Sequence, residues 1–213
     1  MKLKSVPTQT LQRLPAYLNY LKSLPKDGVA NISATTIAEA LRLNDVQVRK
    51  DLASISDGGR PKVGYVTENL IFDIEQFLGY DDADNAVIVG SGNLGKALLS
   101  YKGFSEYGLD IVAAFDIDES VVGCTVNGKR ILPAEKLKNL CHRMGIKIGI
   151  ITVPAYQAQD VCNTLIESGV VAIWNFAPVH LEVPENVLVQ NENMACSLAI
   201  LSMHLTKKLT EKS

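Results

Sequence analysis

The hexapeptide Gly90-Ser91-Gly92-Asn93-Leu94-Gly95 has the spacing G-x-G-x-x-G. Between an apolar strand and a helix, that spacing suits a pyrophosphate. The first glycine makes the tight turn, the second admits the phosphates close to the backbone, and the third lets the helix pack on the sheet. The context is present here. Ala86-Val87-Ile88-Val89 reads as a strand and residues 93–101 as a helix, whose free N–H groups and positive dipole end would face the phosphates. A dinucleotide site also needs an acid after the next strand, and Asp116 lies 21 residues beyond Gly95. A carboxylate there accepts bonds from ribose hydroxyls and repels a 2′-phosphate, which favours NAD(H) over NADP(H). Asp118 is a substitute if the strand ends later. Thr152-Val153-Pro154 ends a further strand where the nicotinamide half would lie, and Asn175-Phe176-Ala177-Pro178 ends another. Each reads equally well as a pocket lining or as an ordinary turn.

A second constellation sits near the N-terminus. Asn44-Asp45-Val46-Gln47 resembles a capping box opening a helix over residues 45–55. Val48, Leu52 and Ile55 form its apolar stripe, while Gln47, Arg49, Lys50 and Ser54 point outward. A shorter helix, capped by Ser33 and running to Leu41, precedes it by a three- or four-residue turn, as in a helix-turn-helix. The segment 57–66 then carries three glycines and Pro61, which exclude a helix, and Val63, Tyr65 and Val66, which suit a strand. It reads as a small wing with Arg60 and Lys62 near its tip. Outward Gln, Arg and Lys also occur on solvated surface helices, so this signal is weaker than the glycine loop.

The remaining elements place these groups in separate domains. Leu11, Leu14, Leu18 and Leu21 mark a first helix over residues 8–24, with Pro15 either kinking it or shifting its start. Pro25-Lys26-Asp27-Gly28 reads as a turn, and a helix over 67–78 follows the wing. An acidic linker after Gly79 separates a winged-helix domain (1–80) from a Rossmann domain (84–192), followed by a helix within 193–213. Strands at 111–116, 147–153 and 170–174 alternate with helices at 133–144 and 155–168. Their continuous β-branched runs indicate a doubly wound parallel sheet covered on both faces, so the fold class is α/β. The last helix has a broad apolar face including Leu198, Leu201 and Leu205.

Composition narrows the function. The 213 residues are 47% hydrophobic and 21% charged, with net charge −2, as in an ordinary folded chain. Residues 1–70 hold ten Lys/Arg against six Asp/Glu, and residues 71–213 eleven against seventeen. A basic front on an acidic back is compatible with nucleic acid at one end only. No secretory signal or membrane-length apolar run is visible, so a cytoplasmic protein is expected. Cys124, Cys141, Cys162 and Cys196 form no metal-ligand spacing and are expected as buried thiols. An oxidoreductase would need a proton donor or acceptor beside the nicotinamide. His142 falls inside a helix, His180 follows the 175–178 turn, and Lys96 sits on the phosphate-binding helix. The nucleotide is therefore expected as a ligand rather than a substrate. Coenzyme A or another nucleotide is the alternative, though it gives Asp116 no task.

Taken in order, these segments resemble the redox-sensing transcriptional repressor Rex family over almost the whole chain. The matching motifs are Gln47-Val48-Arg49-Lys50-Asp51-Leu52, Gly64-Tyr65, the glycine loop, Ala114-Phe115-Asp116-Ile117-Asp118, and Asn175-Phe176-Ala177-Pro178 with Glu182-Val183-Pro184. The resemblance implies a homodimer with C-terminal helices swapped between subunits, bound to palindromic operator DNA of anaerobic and NADH-reoxidising genes. NADH would close it and release DNA, and NAD+ would favour the bound form. It assigns DNA contacts to Gln47, Arg49, Lys50, Arg60 and Lys62. It assigns the nucleotide to the glycine loop and Asp116. It further implies a redox-coupling contact among Arg13, Tyr101 and residue 193. Here residue 193 is asparagine where the family has aspartate, and the wing is short and contains Pro61.

Overall fold

The computed structural model describes residues 6–25, 29–80 and 84–211. The expected turn at 26–28 and the linker at 81–83 lie outside the described residues. The chain divides into two compact units, Met1–Asp82 and Ala83–Ser213.

In the first unit, α1 (Thr8–Ser23) starts before Pro15 and runs through it, so Pro15 does not shift the helix start. Leu14, Tyr17, Leu18 and Leu21 are buried at helical spacing. Leu11, expected on that stripe, is exposed instead. A strand absent from the sequence reading, β1 (Asn31–Ile32), comes next. In α2 (Ala34–Leu41), the Ser33 hydroxyl accepts from the Thr36 N–H at 3.0 Å, and Arg42 ends the helix in the left-handed region. Three residues later α3 (Asp45–Ile55) opens, with the Asn44 side chain accepting from the Gln47 N–H at 3.1 Å. β2 (Tyr65–Val66) pairs antiparallel with β1, and α4 (Thr67–Leu78) closes the unit. Val48 and Leu52 of α3 meet Ile37, Leu70 and Ile74 in one core.

One buried group on α3 is ionic. Asp51 lies on the stripe of Val48 and Leu52, and its carboxylate accepts four hydrogen bonds from α1. These come from the Thr10 hydroxyl at 2.9 Å, Arg13 Nε at 2.7 Å, Arg13 Nη2 at 2.9 Å and the Tyr17 phenol at 2.8 Å. A buried carboxylate is tolerated only when paired and hydrogen-bonded in this way. Burial alone would raise the Asp51 pKa, but the bonds from Arg13, Tyr17 and Thr10 outweigh it and hold the carboxyl below its usual range. Burial, with Asp51 opposite, pushes the Tyr17 phenol up to about 12.

The second unit is built on a seven-stranded sheet of order β5-β6-β4-β3-β7-β8-β9. Its strands are β3 (Asp84–Val89), β4 (Leu109–Asp116), β5 (Thr125–Val126), β6 (Lys129–Pro133), β7 (Ile148–Ile151), β8 (Ala172–Asn175) and β9 (Leu188–Asn191). All neighbours are parallel except the β5–β6 hairpin. The helices are α5 (Asn93–Ser100), α6 (Leu137–Met144), α7 (Ala155–Glu167) and α8 (Met194–Thr210). Val87 and Val89 face a core with Leu137, Cys162 and Leu165, whereas Ala86 and Ile88 face another with Leu99 and Ile131. Two covered faces explain the continuous apolar strands.

Several local expectations need correction. Pro133 ends β6 rather than opening a helix, and a 3₁₀ turn (Ala134–Lys136) leads into α6. The β5–β6 hairpin and β9 were not foreseen. Cys141 and Cys162 are buried, but Cys124 and Cys196 are exposed.

The Asp51 cluster makes a testable statement about stability. Because its folded pKa is depressed, its contribution is complete above the unfolded value of about 3.9 and falls as pH drops through the lower folded value. Asp51→Asn should remove that acid-side loss from thermal melts. It should also lower stability at neutral pH by an amount near the bottom of the roughly 3–5 kcal/mol typical of a stranded buried partner, since Arg13 keeps 21% exposure. A variant melting like wild type at both pH values would contradict this.

Candidate nucleotide crevice and nucleic-acid interface

Counting outward from β3, the parallel strands run 3-2-1-4-5-6, the order in which ligands bind where strand direction of travel reverses. That point lies between the ends of β3 and β7, where the glycine loop and residues 152–154 stand side by side. The Thr152 hydroxyl donates to the Gly90 carbonyl at 2.6 Å, and the Thr152 N–H donates to the Val89 carbonyl at 2.9 Å. The two loops are thus one rigid edge.

The three glycines have different reasons. Gly90 has φ +97, and a Cβ there would lie 2.9 Å from the Thr152 carbonyl carbon. A Cβ on Gly95 would lie 2.0 Å from the Gly90 oxygen, so α5 could not sit as it does. A Cβ on Gly92 would meet no atom of the chain within 4 Å. Nothing within the fold demands glycine at 92; what its missing side chain leaves clear is the space over the loop at the start of α5. That open cradle fits a pyrophosphate.

Asp116 closes the far side. Its Oδ2 accepts from the Ser91 N–H and hydroxyl, each at 2.6 Å, and Oδ1 accepts from the N–H groups of Ile117 at 2.8 Å and Asp118 at 3.0 Å. Burial pushes this carboxyl up, and the four bonds more than offset it, leaving the pKa lowered. The group is therefore a carboxylate at neutral pH, oriented by backbone. Ser91 is buried and faces Asp116, while Asn93 is exposed and Leu94 half-buried. The exposed Asp118 instead accepts from the Ser120 N–H.

At β8 the side-chain bonds favour a structural turn. Asn175, fully buried, donates to the carbonyls of Ala177 and Val179 and to Asn191 Oδ1, and accepts from the Ala177 N–H. His142 and His180 are exposed, and among the described residues no group of three His, Cys, Asp or Glu could hold a metal.

In the first unit, Arg49 and Lys50 are exposed on α3, and Arg49 pairs with Asp45 at 3.3 Å, an exposed contact worth little. The wing is a tight turn in which Arg60 and Gly64 exchange two backbone bonds, both 2.9 Å. Lys62 at its tip is left-handed. Gly64 has φ +85, and a Cβ there would strike the Ile32 carbonyl at 2.3 Å. Arg49, Arg60 and Lys62 border a common groove of about 540 Å³, and three cations gathered in this way would attract a phosphate backbone.

The groups named for redox coupling are placed as follows. Arg13 is held by Asp51 within the first unit. Tyr101, in the second, is exposed and edge-on to Phe104 at 4.9 Å. Asn193 caps α8 by accepting from the Cys196 N–H at 3.0 Å. The Asp51 cluster was missed; an acid on an apolar helical stripe, with Arg13 and Tyr17 one turn apart on another helix, was the available signal.

Comparison with known proteins agrees with these two halves. Residues 5–53 match the family described as putative DNA-binding protein N-terminus, and residues 81–179 the CoA binding domain. The redox-sensing transcriptional repressor Rex of Bacteroides fragilis is 40% identical over 92% of this chain and 89% of its own. The chain belongs to the Rex family. The Rex repressor of Treponema denticola is 39% identical, over 97% of this chain and 99% of that one. The Rex-family repressor RSP, in its crystal structure with β-NAD+ and operator DNA, superposes with TM-score 0.89 at 32% identity, covering 98% and 96% of the two chains. Its complex with β-NADH gives 0.85, covering 97% of each. The Rex family is one of transcriptional repressors rather than enzymes.

The differing glycines can be separated by stability alone. Gly95→Ala should cost roughly 1–3 kcal/mol, as expected when a packed interior must yield to an extra methyl, whereas Gly92→Ala should leave the denaturation midpoint nearly unchanged. Equal losses in chemical denaturation would show that the loop does not pack as described.

Proposed function

We propose that the chain is a cytoplasmic, homodimeric repressor whose grip on operator DNA follows the NADH/NAD+ balance. The observation that carries this reading is the match, across nearly the entire chain, to a Rex-family repressor crystallised with both β-NAD+ and operator DNA. Among the described residues no helix is long and apolar enough to cross a membrane.

The geometry supports each part. Gly92 and the start of α5 would receive the pyrophosphate. Asp116 would receive the adenosine ribose, whose hydroxyl would take the place of the Ser91 hydroxyl on Oδ2. Its fixed negative charge disfavours a 2′-phosphate, and it is also the feature that favours NAD(H) over coenzyme A. Thr152, Val153 and Pro154 would border the nicotinamide half. Arg49, Lys50, Arg60 and Lys62 would meet DNA. Every residue of α8 is exposed, including Met194, Leu198, Leu201, Met203, Leu205 and Leu209. Water strongly disfavours so much apolar surface on one helix, and a second copy is the partner the family supplies. Tyr101 and Asn193 would join Arg13 in redox coupling. Asn193 presents an uncharged acceptor to the guanidinium, so the contact gives up the ion pair that an aspartate would make.

Two experiments test this reading. Fluorescence anisotropy on operator DNA should show release by NADH, opposition of that release by NAD+, and little response to NADPH. In it, Arg49→Ala with Lys50→Ala should weaken DNA binding while sparing NADH binding. Each substitution should cost about 1–3 kcal/mol if it removes a base contact, or flatten the salt dependence if it removes a phosphate contact. Full operator affinity in the double variant would remove α3 as the reading helix. Separately, calorimetry with NADH should find binding weakened in both Asp116→Ala and Gly92→Ala, by roughly tenfold or about 1.4 kcal/mol. An unchanged dissociation constant in either would detach that residue from the nucleotide.

A further inference from the structure

Gln47 stands in the first turn of α3, on the side that meets α1. Its amide oxygen faces Arg13 and accepts from Nη1 at 3.1 Å and Nη2 at 3.2 Å. A carbonyl oxygen has two lone pairs, and two guanidinium N–H groups meet them here. The reverse orientation would set the amide N–H groups against the same N–H donors. The guanidinium is itself fixed, because Nε and Nη2 grip Asp51, whose side chain is 6% exposed and tied to Thr10 and Tyr17. Arg13 and Gln47 lie along a groove of about 470 Å³ that Lys50 also borders. The amide nitrogen is the end of Gln47 left to act outside the cluster.

A free glutamine reads adenine with both ends of its amide, donating to N7 and accepting from N6. With the oxygen held by Arg13, only donation remains. We propose that Arg13 is a positioning residue that makes Gln47 a donor-only reader, so that its base step favours the paired acceptors of guanine, O6 and N7, over adenine. Arg13 thereby acts on DNA recognition without touching DNA, since the donors it turns toward α3 are committed to Asp51 and Gln47. This inference rests on the reading of α3 as the DNA-contacting helix.

The test is enrichment of binding sites from a randomised duplex pool by the full-length protein and three variants. Gln47→Ala identifies the base step, as the one whose preference it erases. At that step the wild type should favour guanine over adenine by roughly tenfold. Arg13→Lys keeps a cation beside Asp51 but lacks the planar fork, so the amide is released and the preference should move toward adenine. Gln47→Glu leaves the Arg13–Asp51 pair intact. It places one carboxylate oxygen on the guanidinium and the other outward, so the preference should move to cytosine, whose N4 donates. Gln47→Glu keeps the test decisive even if Arg13→Lys folds poorly. Adenine preferred by the wild type, no base step erased in Gln47→Ala, or guanine retained in Gln47→Glu would each overturn the proposal. Failure of the wild type to enrich any sequence is a different result, and refutes the DNA-binding reading itself.

Discussion

The carboxylate of Asp51 is the pin on which the first unit turns. A charge taken from water must recover its lost hydration through bonds, and this one recovers it entirely from one neighbouring helix, α1. The bonds from Thr10, Arg13 and Tyr17 span two turns of α1 and so fix its rotation as well as its distance from α3. Apolar packing alone would be less particular, because leucines tolerate small slides that hydrogen bonds do not. The orientation of Gln47 follows from the same pin, since the guanidinium that Asp51 grips is the one that meets the amide.

In the second unit the equivalent constraint is steric. Gly95 packs so closely on Gly90 that no side chain fits between them, and the Thr152 hydroxyl locks the same carbonyl from the other strand. The start of α5 is thereby aimed over the end of β3 with little freedom. Asp116 is aimed by its bonds to the backbone of Ser91, Ile117 and Asp118. A nucleotide met by such an edge would pay little to order it, which is the use of preorganisation in binding.

Much of this was legible in the sequence because local rules and tertiary demands coincide. The glycine loop and Asp116 occupy their places as the spacing required, and Ser33 and Asn44 cap the helices they were expected to cap. Other features escaped because their cause is remote in the chain. β1 exists only because β2 pairs with it, and β9 only because β8 offers an edge. Pro133 looked like a helix start, but pairing of β6 with β4 extends the strand to include it. Leu11 fell on an apolar period yet lies outside the core, since periodicity marks a stripe without saying how far the neighbouring helices reach. Asp51 was passed over because its partners are 34–41 positions away.

The uncovered apolar helix α8 has a consequence for the life of the protein in the cell. Folding free energy that resides in association depends on concentration, by mass action. If α8 is the surface that pairs two copies, as proposed above, a solitary copy would carry an oily 17-residue rod open to proteases and to unwanted adhesion, while a mated copy would hide it. Abundance and durability are then linked: scarce chains are the vulnerable ones, and dilution itself becomes a route to their clearance.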